Sequence, residues 1–239
     1  SSNLWYIKLI IPLVVSILFK FIPKDLLIDD NSSININIMN FLSIDCSTDI
    51  GSLFLKTKNK TFNKVLQSDK LNNDLLMKQV LVFFEENNVG FNDISDIFVN
   101  QGPGNFSGLR GSLSTAKGMC LTKNLNLFGY NTFLWCSAKY LNTKNSILSI
   151  IKFRDKYFVK EFDKSLSKSS KVNEVTEDEI LNNYKNVFKV IPKNLVKKVG
   201  VKILKLNNLS IEDLDHNLLE SLKIKGLLDK DLIKPMYLS

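Results

Sequence analysis

Residues 100–118 read Asn-Gln-Gly-Pro-Gly-Asn-Phe-Ser-Gly-Leu-Arg-Gly-Ser-Leu-Ser-Thr-Ala-Lys-Gly. Gly102, Gly104, Gly108 and Gly111 crowd into this stretch, although the 239-residue chain has only 10 glycines. The apolar run Ile97-Phe98-Val99 enters it and a helix-forming segment leaves it. Strand, glycine loop and helix together can aim backbone N–H groups and the positive end of a helix dipole at an anion. The same glycines can instead permit a tight turn and close packing of the helix that follows. The spacing matches neither familiar phosphate motif. No Lys-Ser/Thr pair closes the loop, and Ser107 stands where Gly-x-Gly-x-x-Gly needs its third glycine. Both readings stay open at this level.

Working outward, Phe41–Cys46 and Ser52–Thr57 alternate in polarity around Ser47-Thr48-Asp49-Ile50-Gly51, which predicts a hairpin. Phe62–Gln67 reads as a third strand. Lys70–Asn88 reads as a helix with Leu76, Val80, Phe83 and Phe84 on one face and Gly90 beyond its end. Ile97–Asn100 is a fourth strand and Ser107–Asn124 the helix after the loop. Leu125–Tyr130 is a fifth strand, followed by a short helix over Thr132–Leu141 capped by Asn131 or Thr132. Further on, Ser146–Phe153 and Lys156–Phe162 form a second hairpin around Arg154-Asp155, and a Ser/Lys-rich loop covers Lys164–Lys171. Thr176-Glu-Asp-Glu179 and Ser210-Ile-Glu-Asp213 have the spacing of capping boxes, which predicts a helix after each. No internal repeat of fixed period is visible.

Several function classes are disfavoured by composition. The net charge is +8, from 32 basic and 24 acidic residues; Arg110 and Arg154 are the two arginines, leaving 30 lysines. Bidentate recognition of bases and phosphates relies on arginine, so dispersed lysine attracts nucleic acid only weakly and non-specifically. Cys46, Cys120 and Cys136 lie far apart without Cys-x-x-Cys spacing, which fits buried reduced thiols rather than a disulfide framework or a metal site. His216 is the only histidine and sits in a polar stretch, which predicts a solvated side chain in a helix. A single histidine without a partner motif also argues against a peptidase.

Residues 1–38 differ in character. Ile7–Ile22 is strongly apolar, yet shorter than the roughly 20 residues of a bilayer span, and it is interrupted by Lys8, Pro12 and Lys20. The expectation is an apolar, non-native extension with the native start at Met39. A membrane anchor is the alternative.

Three stretches carry a family resemblance: the glycine segment above, Phe41-Leu-Ser-Ile-Asp45-Cys-Ser-Thr48, and Lys234-Pro-Met-Tyr-Leu238. In this order they resemble the TsaB family across about residues 39–239, with a looser match over 155–230. Gln67-Ser68-Asp69 departs from the His-Ser-Glu often found there. The resemblance implies an α/β chain of two subdomains from the actin/Hsp70/sugar-kinase superfamily, ribonuclease-H-like, the second reduced. The expected division is 39–143, containing the glycine loop, and 144–239. The element order of the first half agrees.

The resemblance further implies a non-catalytic dimerisation subunit of the complex that forms threonylcarbamoyladenosine in tRNA beside the anticodon, in the cytoplasm. Its expected partners are a catalytic threonylcarbamoyltransferase, a small P-loop ATPase and, through the complex, tRNA; alone, the chain is expected to form a homodimer. No catalytic residue, cofactor or metal is expected in the chain itself, with ATP and a metal ion held by the partner subunits. Asp45, Ser47, Gly102 and Gly104 form a vestigial phosphate site on this view, and Asp45 either orients a cation or phosphate or hydrogen-bonds the N–H groups of its own turn. The interface is expected on the two amino-terminal helices, at Leu71, Leu75, Leu76, Gln79, Arg110 and Leu113, because apolar residues there exceed one narrow stripe. An ATP-dependent kinase of the same superfamily is the rival reading, and a membrane-tethered binding protein a third.

Overall fold

Strand β1 (Phe41–Asp45) is apolar on both sides because both sides are covered. Phe41 points into one core with Phe54 and Phe98, whereas Leu42 and Ile44 point into another with Leu53, Ile97 and Val99. Each such fully buried side chain contributes about 1.5–3 kcal/mol. The structure is a computed structural model that describes residues 39–48, 50–66, 73–163, 171–230 and 232–238. The extension 1–38, Gln67-Ser68-Asp69, Leu71 and most of the Ser/Lys-rich loop lie outside the described residues. Among the described residues no helix is long and apolar enough to cross a membrane.

Around β1 the first sheet runs β3-β2-β1-β4-β5, with β2 (Gly51–Lys56), β3 (Thr61–Leu66), β4 (Asp96–Asn100) and β5 (Asn126–Tyr130). β1, β2 and β3 are antiparallel, whereas β4 and β5 run parallel to β1. Helix α1 (Asn73–Glu86) joins β3 to β4, and α2 (Phe106–Lys123) joins β4 to β5. Both helices pack on the outer face, where Leu76, Val80, Phe83, Phe84, Leu113, Ala116 and Met119 fill the core. Helix α3 (Thr132–Ser137) follows, capped by Asn131, whose side chain accepts from Leu134 N at 2.9 Å.

The second half repeats this plan. Strands β6 (Ser146–Phe153), β7 (Lys156–Asp163), β8 (Asn173–Val175), β9 (Phe188–Pro192) and β10 (Leu209–Glu212) are ordered β8-β7-β6-β9-β10, the same wiring as the first sheet. The helices are the most reduced: α4 (Glu177–Asn182) has 6 residues and α5 (Val201–Leu204) has 4, against 14 and 18 for α1 and α2. Helix α4 has the capping box expected at Thr176, whose hydroxyl accepts from Glu179 N at 3.2 Å. The expected box at Ser210 is corrected, since Ser210 lies within strand β10. There its hydroxyl and that of Tyr140 both reach the Glu212 carboxylate, so it is not available to a helix end.

Helix α6 (Leu218–Ile224) and α3 lie between the two sheets. Phe133, Trp135, Leu219 and Leu222 join Phe98, Tyr130, Ile151 and Phe158 in one core. Lys56 pairs with Glu220, and Lys223 with the buried Asp96 at 2.9 Å, which ties α6 to the first sheet. The carboxy-terminal residues also return to the first sheet. Gly129 and Asp229 form an isolated bridge, and Met236 N donates to Gln101 O at 2.6 Å.

Candidate functional site

The sites of interest form where the parallel strands β1 and β4 end side by side. Asp45 closes β1 and Asn100 closes β4, and both are buried. One carboxylate oxygen of Asp45 accepts from Ser47 N at 2.8 Å and the other from Asn100 Nδ2 at 2.9 Å. Asn100 Nδ2 also lies 3.3 Å from Ser47 Oγ and 3.2 Å from Thr132 Oγ1, while its Oδ1 accepts from Gly102 N at 2.8 Å. Asn100 is thus the hub of the site. The sequence reading passed over it, although a polar residue ending an apolar strand just before a glycine loop was the available signal.

The glycine loop lies directly on the turn after β1. A Cβ on Gly104 would sit 1.8 Å from Ser47 O, and one on Gly108 would sit 2.2 Å from Cys46 O. Asn105 N donates to Ser47 O at 2.7 Å. Gly102 adopts φ +106°, and a Cβ there would come within 2.9 Å of Met236 O. Asn105 caps α2, its side chain accepting from Ser107 N at 3.1 Å and Gly108 N at 3.5 Å. The N–H groups of Ser47, Gly102, Asn105, Ser107 and Gly108 therefore donate within the chain. A phosphate cradle needs such groups open to the ligand. Of the two readings of Asp45, the geometry favours the hydrogen bond to its own turn.

Asp45, Ser47, Gly102 and Gly104 do come together here, and beside them a cleft of about 310 Å³ opens between the sheets, lined by Ser47, Thr48, Asn105, Asn194 and Lys198. The expected interface residues are divided. Leu75 is 40 % exposed and Arg110 is exposed, with Gln79 half-buried. Leu76 and Leu113 are corrected: they are 2 % and 4 % exposed because they face the sheet, so no partner can reach them. Leu81, which was not expected, is 47 % exposed on α1.

His216 is corrected as well. It lies buried in the loop before α6, stacked on Phe54 with centroids 4.6 Å apart and ring planes 8° apart. Burial lowers its pKa to about 4, against the opposing pull of Asp45 and Asp215. All three cysteines are unpaired, Cys46 and Cys136 buried and Cys120 half-buried. Burial raises all three thiols, Cys120 to about 11, which suppresses the reactive thiolate. No cluster of three or more His, Cys, Asp or Glu side chains suited to a metal occurs among the described residues.

The chain is similar to several known proteins. Residues 68–151 match the family described as TsaD, tRNA N6-adenosine threonylcarbamoyltransferase. The tRNA threonylcarbamoyladenosine biosynthesis protein TsaB of Buchnera aphidicola subsp. Baizongia pistaciae (strain Bp) is 30 % identical over 119 residues, covering 48 % of this chain and 53 % of that protein. The chain thus spans about half the length of the curated relative it matches. Two Pseudomonas aeruginosa structures share the fold. One, described as an uncharacterized protein with similarity to peptidase YEAZ, has a TM-score of 0.62 at 13 % identity, covering 84 % of this chain and 100 % of that one. The other, YeaZ, has a TM-score of 0.60 at 14 % identity with the same coverage. The sequence matches thus cover part of the chain, and the two solved structures share its α/β fold.

Proposed function

We propose that the chain is a TsaB-family protein and a non-catalytic scaffold subunit in the formation of threonylcarbamoyladenosine in tRNA, paired with a threonylcarbamoyltransferase in the cytoplasm. The names of its sequence relatives support a part in that modification. The observation that carries the scaffold role is the closed glycine loop. The N–H groups of Gly102, Asn105, Ser107 and Gly108 donate to Asn100, Ser47 and Asn105, and the space above Gly104 and Gly108 holds the chain's own carbonyls. In the kinase alternative those groups would hold a nucleotide's phosphates. On the scaffold reading the glycines serve close approach of α2 to the β1 turn, and the chemistry, ATP and metal ion belong to partner subunits that include a small P-loop ATPase.

The modified nucleoside provides the test. Depleting this chain from its cells and analysing hydrolysed bulk tRNA by mass spectrometry should show threonylcarbamoyladenosine falling severalfold, with recovery when the chain is restored. An unchanged nucleoside level would overturn the reading.

A further inference from the structure

The chain has two arginines against 30 lysines, and both stand over aromatic rings, Phe106 and Phe153, that line one depression. Arg110 lies 4.8 Å from the ring centroid of Phe106, and Arg154 lies 5.4 Å from that of Phe153. Phe106 in turn stacks on Tyr237, with centroids 5.3 Å apart and planes 29° apart. Phe106 is 54 % exposed and Tyr237 49 % exposed, so two large rings face water together. Phe106, Phe153, Arg154 and Tyr237 line a depression of about 370 Å³, and it shares Gly104, Asn105 and Phe153 with the cleft that Lys198 borders.

Arg154 adds an independent observation. It occupies the two-residue turn between β6 and β7 at φ 54°, a region that favours glycine, asparagine or aspartate. A glycine would adopt this turn at lower conformational cost. An arginine held there against backbone preference points to a role for its guanidinium. Of the charged neighbours, Asp155 lies beside Arg154 and Lys156 is paired with Glu174 at 2.9 Å, while Arg154, Arg110 over Phe106, and Lys152 and Lys198 of the adjoining cleft supply positive charge for an anionic ligand.

We infer that this surface binds a single-stranded segment of RNA, with a base stacking on the Phe106–Tyr237 pair and phosphates held by the two arginines. Exposed aromatic faces flanked by guanidinium groups accept unstacked bases of any identity, and the positive rim attracts the backbone. A lysine could replace either arginine in charge but not in planar, two-point phosphate contact. The choice of tRNA as the source of that segment rests on the function proposed above; the stacking platform and its charge do not.

The test uses the full chain, alone and with the transferase from the same cells added, titrated into a fluorescent anticodon stem-loop RNA and followed by anisotropy. Phe106→Ala with Tyr237→Ala should weaken binding about tenfold or more, from the loss of base stacking. Arg154→Gly should also weaken binding and lower the slope of log affinity against log salt by about 0.7, the share of one phosphate contact on a single strand. Because glycine suits the turn, that variant should melt no lower than wild type, which separates lost binding from lost folding. The inference is overturned if wild type binds neither alone nor with the transferase. It is equally overturned if both variants bind unchanged, or if an RNA duplex of equal charge binds as tightly as the loop. Co-purification with the transferase is read separately, so failure of the scaffold reading is distinguishable from failure of this one.

Discussion

His216 is the side chain whose chemistry differs most from its sequence context. Its neighbours Asp215 and Asn217 are polar and exposed, yet the imidazole is stacked on Phe54, which is 162 positions earlier in the chain. No local pattern could have announced that contact. Asp45 was readable from its own neighbourhood, because an aspartate two residues before a turn N–H commonly accepts from it. The depressed pKa of His216 has a consequence for stability. The unfolded chain takes up this proton near pH 6.5 and the folded chain only near 4, so the stabilisation is complete above 6.5 and is lost as pH falls towards 4. The loss amounts to about 3 kcal/mol. Urea unfolding from pH 7 to 4.5 should therefore show a steeper decline for wild type than for His216→Phe, which keeps the stack without the proton. Parallel declines would contradict the burial.

At the scale of elements, the hairpins, the glycine loop and the box at Thr176 could be read because each depends on residues within a few positions. Strand β10 could not, since its identity comes from parallel pairing with β9, while Ser-x-x-Asp locally imitates a helix start. The same distinction applies to α1. Its sequence has apolar residues on more than one face, but only the fold decides that Leu76 meets the sheet and that Leu75 and Leu81 meet solvent. If α1 docks on the transferase, Leu75→Glu combined with Leu81→Glu should abolish co-purification, because a charge buried without a partner at a seam costs several kcal/mol. Its circular dichroism and melting should match wild type, whereas Leu76→Ala should lose about 2–5 kcal/mol of stability. Retained complex formation in the double variant would place the interface elsewhere.

At the scale of the whole molecule, the described residues form two sheets with the same wiring that enclose a shared core. The repeat left no periodic trace in the sequence, because a strand needs only alternation and the helices that would have marked the period are shortened in the second half. The first sheet's loop, which could have faced a nucleotide, is closed on itself, and the arginines and exposed rings gather beside it. In the proposed scaffold role the chain contributes surfaces rather than reacting groups. Its role is therefore most directly measured by assembling purified chain, transferase, P-loop ATPase, threonylcarbamoyl adenylate and unmodified tRNA, and counting threonylcarbamoyladenosine formed. The account predicts no product and no ATP hydrolysis from this chain alone, product from the full set, and loss of product when this chain is omitted. Turnover by the isolated chain, or full product without it, would contradict the account.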